Sequence, residues 1–265
     1  MRRSVHAGLE LDVAGPALLA LAVAVADGAH HRTETLSITQ GGRPLDVVEL
    51  TGPHGSRLHQ VQAAAGRVSV VYDATVDGVD DPPPVDPLDL LTYLRPSRYA
   101  ESDRIIGLAD AELGGLSGRS LLDAVTAWVG SHVRYVPGTS GPTDGASQTV
   151  LGGQGVCRDF AHVTVGLLRA LDVPARTAAV YAPGLSPMDF HAVAEAYVEG
   201  AWHVVDPTLL APRSTMLRIS TGRDAADTAF LSTYHAWVTL LTYEVRAVVD
   251  GDLPVDDRST LVQLR

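Results

Sequence analysis

The stretch Asp77–Pro87 (DGVDDPPPVDP) divides the chain into two segments with different hydrophobic periods. Consecutive prolines lack the amide hydrogen that a helix or a sheet ladder uses, and they push preceding residues toward extended backbone. Neither a helix nor a central strand continues through such a run, and its acidic residues favour water, so it reads as a linker. Its aspartates lack the closing Glu and the ligand spacing of a calcium loop. Before it, from Leu9 to Val76, apolar residues come in short Val-rich runs separated by Gly, Pro and polar clusters, the pattern of strands joined by turns. Leu36–Thr39, Leu58–Ala63 and Val68–Tyr72 are the clearest of these.

After the linker the period lengthens to about 3.6. Leu121, Leu122, Val125, Trp128, Val129 and His132 line one side of a helix expected from Ser117 to Val133. A second helix is expected over Cys157–Leu171, where Phe160, Ala161, Thr164, Leu167, Leu168 and Leu171 recur at spacings of three and four before Pro174 forbids continuation. Gly152, Gly153 and Gly155 mark the turn that enters it. Strands follow at Arg176–Tyr181, His191–Val198 and Ala201–Asp206, the last two joined by a tight turn at Glu199-Gly200. The fold class is therefore α+β: a β-rich domain over residues 1–88, then a unit over 89–265 in which the Cys157 helix packs on an antiparallel sheet and a last strand follows. No internal repeat is visible.

At 265 residues and 46% apolar content the chain can bury one large core or two modest ones. Its formal charge of -11 argues against a nucleic-acid partner, because neutralising phosphates needs clustered basic residues. The longest apolar run, Ala17–Ala26, falls short of the roughly 20 residues of a membrane-spanning helix and reads as core. Glu10 and Asp12 interrupt any signal-peptide pattern after Arg2 and Arg3. A cytoplasmic protein with no membrane partner is the expectation. His30, His31, His54 and His59 match no metal-ligand spacing and are expected at the surface; no metal and no cofactor is expected.

The single cysteine cannot form an internal disulfide, so its chemistry is that of a free thiol. Cys157 falls at the first turn of its helix, where free amides and the helix dipole favour thiolate. A lone Cys on an apolar helix face is more often a small inert core residue. His191 shifts that balance. If Glu199-Gly200 is the turn, Val198 opposes Ala201 and Val193 opposes Asp206, which makes Asp206 the diagonal neighbour of His191 on one face. Such a pair fixes the imidazole tautomer and stabilises its protonated form, the orienting half of a thiol triad. Each of the three alone has a commoner structural role; the three in this chain order point to nucleophilic chemistry. His162 lies about 140° around the helix from Cys157 and cannot share a metal with it. The short GGQG at Gly152–Gly155 lacks the Lys and Ser/Thr of a phosphate loop.

The blocks GVCRDFAHVTVGLLRALDVPAR (Gly155–Arg176) and DFHAVAEAYVEGAWHVVDPT (Asp189–Thr208) resemble the bacterial transglutaminase-like, papain-related proteins. Weaker likeness extends to YLRPSRYAESDRI from Tyr93, HVRYVPG (His132–Gly138) and GRDAADTAF (Gly222–Phe230). The first ninety or so residues are similar in arrangement to the β-rich domain that precedes this core in many bacterial members. The resemblance implies Cys157 as nucleophile, His191 as general base and acid, and Asp206 as the group orienting His191. It implies an acyl-enzyme formed from a protein or peptide substrate and resolved by an amine (transglutaminase-like acyl transfer) or by water (cysteine protease or amidase). The main-chain amide of Cys157 is expected as one oxyanion donor, with Gln148, Gln154 and Tyr135 as candidate side-chain donors. A calcium requirement has no support in the residues. The family often carries Trp two residues after its histidine, where this chain has Val193, which bears on the wall of the substrate groove. The rival reading is a non-catalytic scaffold or binding module that keeps the fold.

Overall fold

The computed structural model describes every residue except Ala29, Asp80, Pro83 and Ser259, so two positions of the expected linker lie outside the described residues. The N-terminal segment forms β1 (Arg2–Val13), β2 (Ala17–Leu21), β3 (His31–Gln40), β4 (Arg43–Pro44), β5 (Val47–Thr51), β6 (Arg57–Ala63) and β7 (Gly66–Asp77). The alternation that marks them is literal: Val5, Ala7, Leu9, Leu11 and Val13 of β1 are buried, as are Val68, Val70, Tyr72, Ala74 and Val76 of β7. In the apolar run from Ala17, Ala17, Leu19 and every residue from Leu21 to Ala26 are buried as core, with Leu18 and Ala20 half-buried between them.

Beyond the linker come α1 (Pro87–Thr92), α2 (Ser102–Leu113), α3 (Gly118–His132), β8 (Arg134–Tyr135), α4 (Ala146–Gly152), β9 (Gln154–Gly155) and α5 (Cys157–Ala170). They are followed by β10 (Ala175–Tyr181), β11 (Phe190–Val198), β12 (Ala201–Val205), β13 (Leu217–Gly222), α6 (Ala225–Thr228), β14 (Leu231–Tyr234) and β15 (Val238–Val249). An antiparallel sheet of order β12-β11-β10-β13 carries α5 on one face, where Ala194, Ala196 and Val198 meet Phe160, Val163 and Leu167. Glu199 and Gly200 both have positive φ, 52° and 83°, the backbone of a two-residue hairpin turn, and the register runs from Val198↔Ala201 to Ala194↔Val205 as the sequence predicts.

The expected division at residue 88 does not separate the sheets. β15 pairs along β1 from Arg3↔Val249 to Val13↔Val238, and β14 pairs with β2, so the end of the chain completes the N-terminal sheets β15-β1-β7-β3-β4 and β14-β2-β6-β5. Tyr181, Leu217 and Ile219 of the second sheet join the N-terminal core, and the Tyr181 hydroxyl donates to the carbonyl of Val23 at 2.6 Å.

The blocks of weaker likeness meet around α5. Arg169, 3% exposed, donates to the carbonyls of Arg95, Ala175 and Arg223. The Tyr99 amide donates to Asp224 at 2.8 Å, and His162, buried and stacked on Tyr99, accepts the Ala225 amide at 3.1 Å. Two of the four N-terminal histidines expected at the surface are instead built into polar networks. His59 is 3% exposed and bonded to Glu49 at 3.0 Å, while His54 lies between the Tyr93 hydroxyl, Asp89 and Arg176. Burial and the neighbouring Arg176 and Arg218 charges hold His54 down at about 4, so it is neutral at pH 7. Among the described residues no cluster of three or more His, Cys, Asp or Glu is arranged to hold a metal ion, and no helix is long and apolar enough to cross a membrane.

Candidate active site

The entry to α5 is shaped by one acid and one glycine. Asp159, fully buried, turns back to accept the Val156 amide at 2.8 Å, satisfying one of the amides that a helix start leaves free. A Cβ on Gly155 would stand 2.7 Å from the Cβ of Asp159. Gly155→Ala is therefore expected to displace this cap, to cost about 1–3 kcal/mol in urea unfolding and to slow thiol labelling of Cys157. A variant that unfolds and labels like the parent removes this account of the turn.

Cys157 is half-buried at the first residue of α5, with Sγ 4.0 Å from the carbonyl of Phe190. His191, on the adjoining strand β11, is 2% exposed. Its Nε2 is bonded to Asp206 Oδ2 at 2.8 Å. The other carboxylate oxygen accepts the Thr208 amide at 3.0 Å and the Thr208 hydroxyl at 2.7 Å, so Asp206 is held from both sides. With Nε2–H committed to Asp206, the basic nitrogen is Nδ1, which has no conventional hydrogen-bond partner among the described residues and has the Cys157 thiol within its range. Burial opposes a charge on the ring, but Asp206 and then Cys157 outweigh it, and His191 holds its proton well above the ordinary histidine range.

Of the three side chains expected beside the nucleophile as oxyanion donors, the structure brings one there. β8 pairs in parallel with β9, Tyr135 opposite Gly155, and the Val136 amide donates to the Gly155 carbonyl at 2.9 Å. This sets the Tyr135 hydroxyl beside Cys157, where burial and the cysteine charge both push its proton affinity up. Gln148 lies exposed on α4 and Gln154 half-buried opposite Arg134, and no side-chain hydrogen bond ties either to the site. The reason is local: α4 buries Ala146 and Thr149 and so turns Gln148 outward, and the strand that holds Gln154 is only two residues long. A cavity of about 580 Å³ touches Asp206 and Thr208 together with Arg119, Ser131 and Arg258, but neither Cys157 nor His191. It lies against the orienting carboxylate, not at the thiol.

A family model described as the transglutaminase-like superfamily matches residues 110–207, which contain Cys157, His191 and Asp206. A crystal structure from Cytophaga hutchinsonii, of a protein named provisionally as a cysteine protease, is 32% identical, with a TM-score of 0.89 over 98% of this chain and 96% of that one. The chain belongs to the transglutaminase-like superfamily. An uncharacterized protein of Mycobacterium leprae is 30% identical over 123 residues, 42% of this chain and 43% of that protein, so the chain matches less than half the length of this curated relative. The periplasmic domain of TgpA from Pseudomonas aeruginosa is 20% identical, with a TM-score of 0.40 over 77% of this chain and 90% of that domain.

In this transglutaminase-like chain Val193 does not wall a groove. It is 1% exposed and packs with Ala178, Val180 and Met216, so the position at which the family often has Trp is core in this chain. Two further residues reach the site that the sequence reading did not single out. Asp189 stands two residues before His191; its Oδ1 accepts the Phe190 amide at 2.7 Å and its Oδ2 the Tyr243 hydroxyl at 3.1 Å. Asp189 sat inside the quoted block without a role. Tyr243 belongs to β15, in the N-terminal sheet, and nothing in local sequence signals its arrival.

Proposed function

We propose that the protein is an acyl-transferring cysteine enzyme acting on amide or peptide carbonyls. The observation that carries this reading is the imidazole of His191, gripped on Nε2 by Asp206 and open on Nδ1 toward the one thiol of the chain. In the proposed cycle the Cys157 sulfur attacks the carbonyl carbon, the oxyanion is met by the Cys157 amide and the Tyr135 hydroxyl, and the imidazolium protonates the departing amine. A thioester remains. Water or an amine then attacks it, His191 Nδ1 takes the attacker's proton, and the thiol is restored. The likeness to a protein named as a cysteine protease supports water as the acceptor.

Asp206 sets the charge state of this pair. Its carboxylate raises the proton affinity of His191, so the ring stays an imidazolium at neutral pH, the form that favours a thiolate beside it. Iodoacetamide labelling of Cys157 is expected to show a midpoint well below the free-thiol value of about 8.5, and Asp206→Asn to move that midpoint upward toward it. A midpoint at the free value in the parent protein favours the scaffold reading. Turnover itself is tested by mass-spectrometric capture of an acyl adduct on Cys157 from peptide and glutamine-donor libraries. Folded protein that acquires no adduct and turns over nothing ends the enzyme proposal.

A further inference from the structure

We propose that Asp189, bonded to the hydroxyl of Tyr243, is a cation-accepting subsite that selects substrates carrying an organic ammonium next to the reacting carbonyl or on the acyl acceptor. This rests on the acyl-transfer reading of Cys157 and adds a substrate class to it.

Several partly or fully buried acids in this chain draw an arginine, Glu195 taking Arg176 and Arg218 and Asp256 taking Arg213, whereas buried Asp224 is bonded to the amides of Tyr99 and Ala226. Asp189 is half-buried, its two oxygens accept one amide and one phenol, and among the described residues no guanidinium pairs with it. Burial pushes its proton affinity up, the signature of a carboxylate short of positive charge. A structural acid so placed is a cost unless something else supplies the charge.

The surroundings match an alkylammonium. Phe190 stacks on Phe230 at 4.8 Å and Phe230 on Tyr243 at 6.5 Å, while Tyr135 and Tyr243 remain 40% and 49% exposed. Aromatic faces take the aliphatic stem of a lysine-like chain and attract its charged end, and the carboxylate stands where that end would arrive. The site is also next to the chemistry: Asp189 stands two residues before His191 and binds the amide of Phe190, whose carbonyl lies 4.0 Å from the Cys157 sulfur. A lysine-like ammonium must come from another molecule, because all 20 Lys and Arg residues of this chain are arginine. A net charge of -11 draws such molecules in.

The test compares the parent with Asp189→Asn, which keeps the shape and the acceptor oxygen. In the donor arm, peptides differ only by Lys or norleucine beside the reactive residue; in the acceptor arm, cadaverine is set against 5-amino-1-pentanol. The parent is expected to prefer the cationic member of at least one pair, and the variant to lose at least about tenfold of that preference through KM. The arm that responds identifies the source of the cation. Binding is read separately as protection of Cys157 from iodoacetamide by the Lys peptide against its norleucine twin. Protection by the Lys peptide that Asp189→Asn abolishes upholds the subsite even if no substrate turns over, an outcome that would sink only the enzyme reading. Equal treatment of charged and neutral members by the parent, or a preference unchanged in the variant, overturns the subsite.

Discussion

Cys157→Ala is expected to abolish turnover, a fall of at least about 10⁴-fold in kcat/KM, while the protein stays folded. The substitution removes one half-buried sulfur and costs about 1 kcal/mol or less, so circular dichroism and the unfolding midpoint stay close to the parent's. His191→Ala is expected to bring a loss of similar size by another route: the thiol survives, but without the ring it is alkylated more slowly at neutral pH. Thiol and imidazole act on one proton, so their losses do not add, and the double variant should be no worse than the poorer single one. Steady-state kinetics on the three variants decides it. Turnover that persists in Cys157→Ala removes the nucleophile, and additive losses remove the coupling between sulfur and ring.

The parts of this site that local sequence controls were legible before any coordinates. The start of α5 at Cys157 follows from apolar spacing and the glycine turn, and the diagonal of His191 and Asp206 follows from a hairpin whose turn residues accept positive φ. What failed was set by distant chain. β15 has little alternation to reveal it, because most of its residues are exposed, and only its pairing with β1 brings Tyr243 to Asp189. His54 and His59 were misplaced for the same reason. Their partners at Tyr93, Arg176 and Glu49 lie on other elements, and a histidine's burial is decided by whether such partners exist. Gln148 and Gln154 looked suitable by proximity in sequence to Cys157; Tyr135, twenty-odd residues away, is the one that the short parallel pair of β8 and β9 delivers.

Glu195 offers the largest expected effect on stability. It lies on β11, in register with His191 on the same face by the two-residue period, and is 1% exposed. Arg176 Nε donates to it at 2.8 Å and Arg218 from two nitrogens at 2.7 and 2.8 Å, while the Arg176 guanidinium lies 4.1 Å over the Trp202 ring. Burial works against its ionisation, but the Arg218 and Arg176 charges override it and hold the carboxyl far below its usual range. Glu195→Gln keeps the shape and strips the charge, leaving two guanidinium groups in a dry interior, which is expected to cost about 3–5 kcal/mol in urea unfolding at pH 7. Neutralising the exposed pair of Arg119 and Asp123 should cost below about 1 kcal/mol. Because the folded-state value is depressed, the Glu195 contribution is complete above the unfolded carboxylate value near 4.3 and is lost only as pH falls below it toward the folded value. The gap between parent and variant should therefore be flat from pH 8 to 5 and narrow in stronger acid. A gap that is small throughout, or that widens on acidification, would mean that this cluster does not fasten the strand carrying His191.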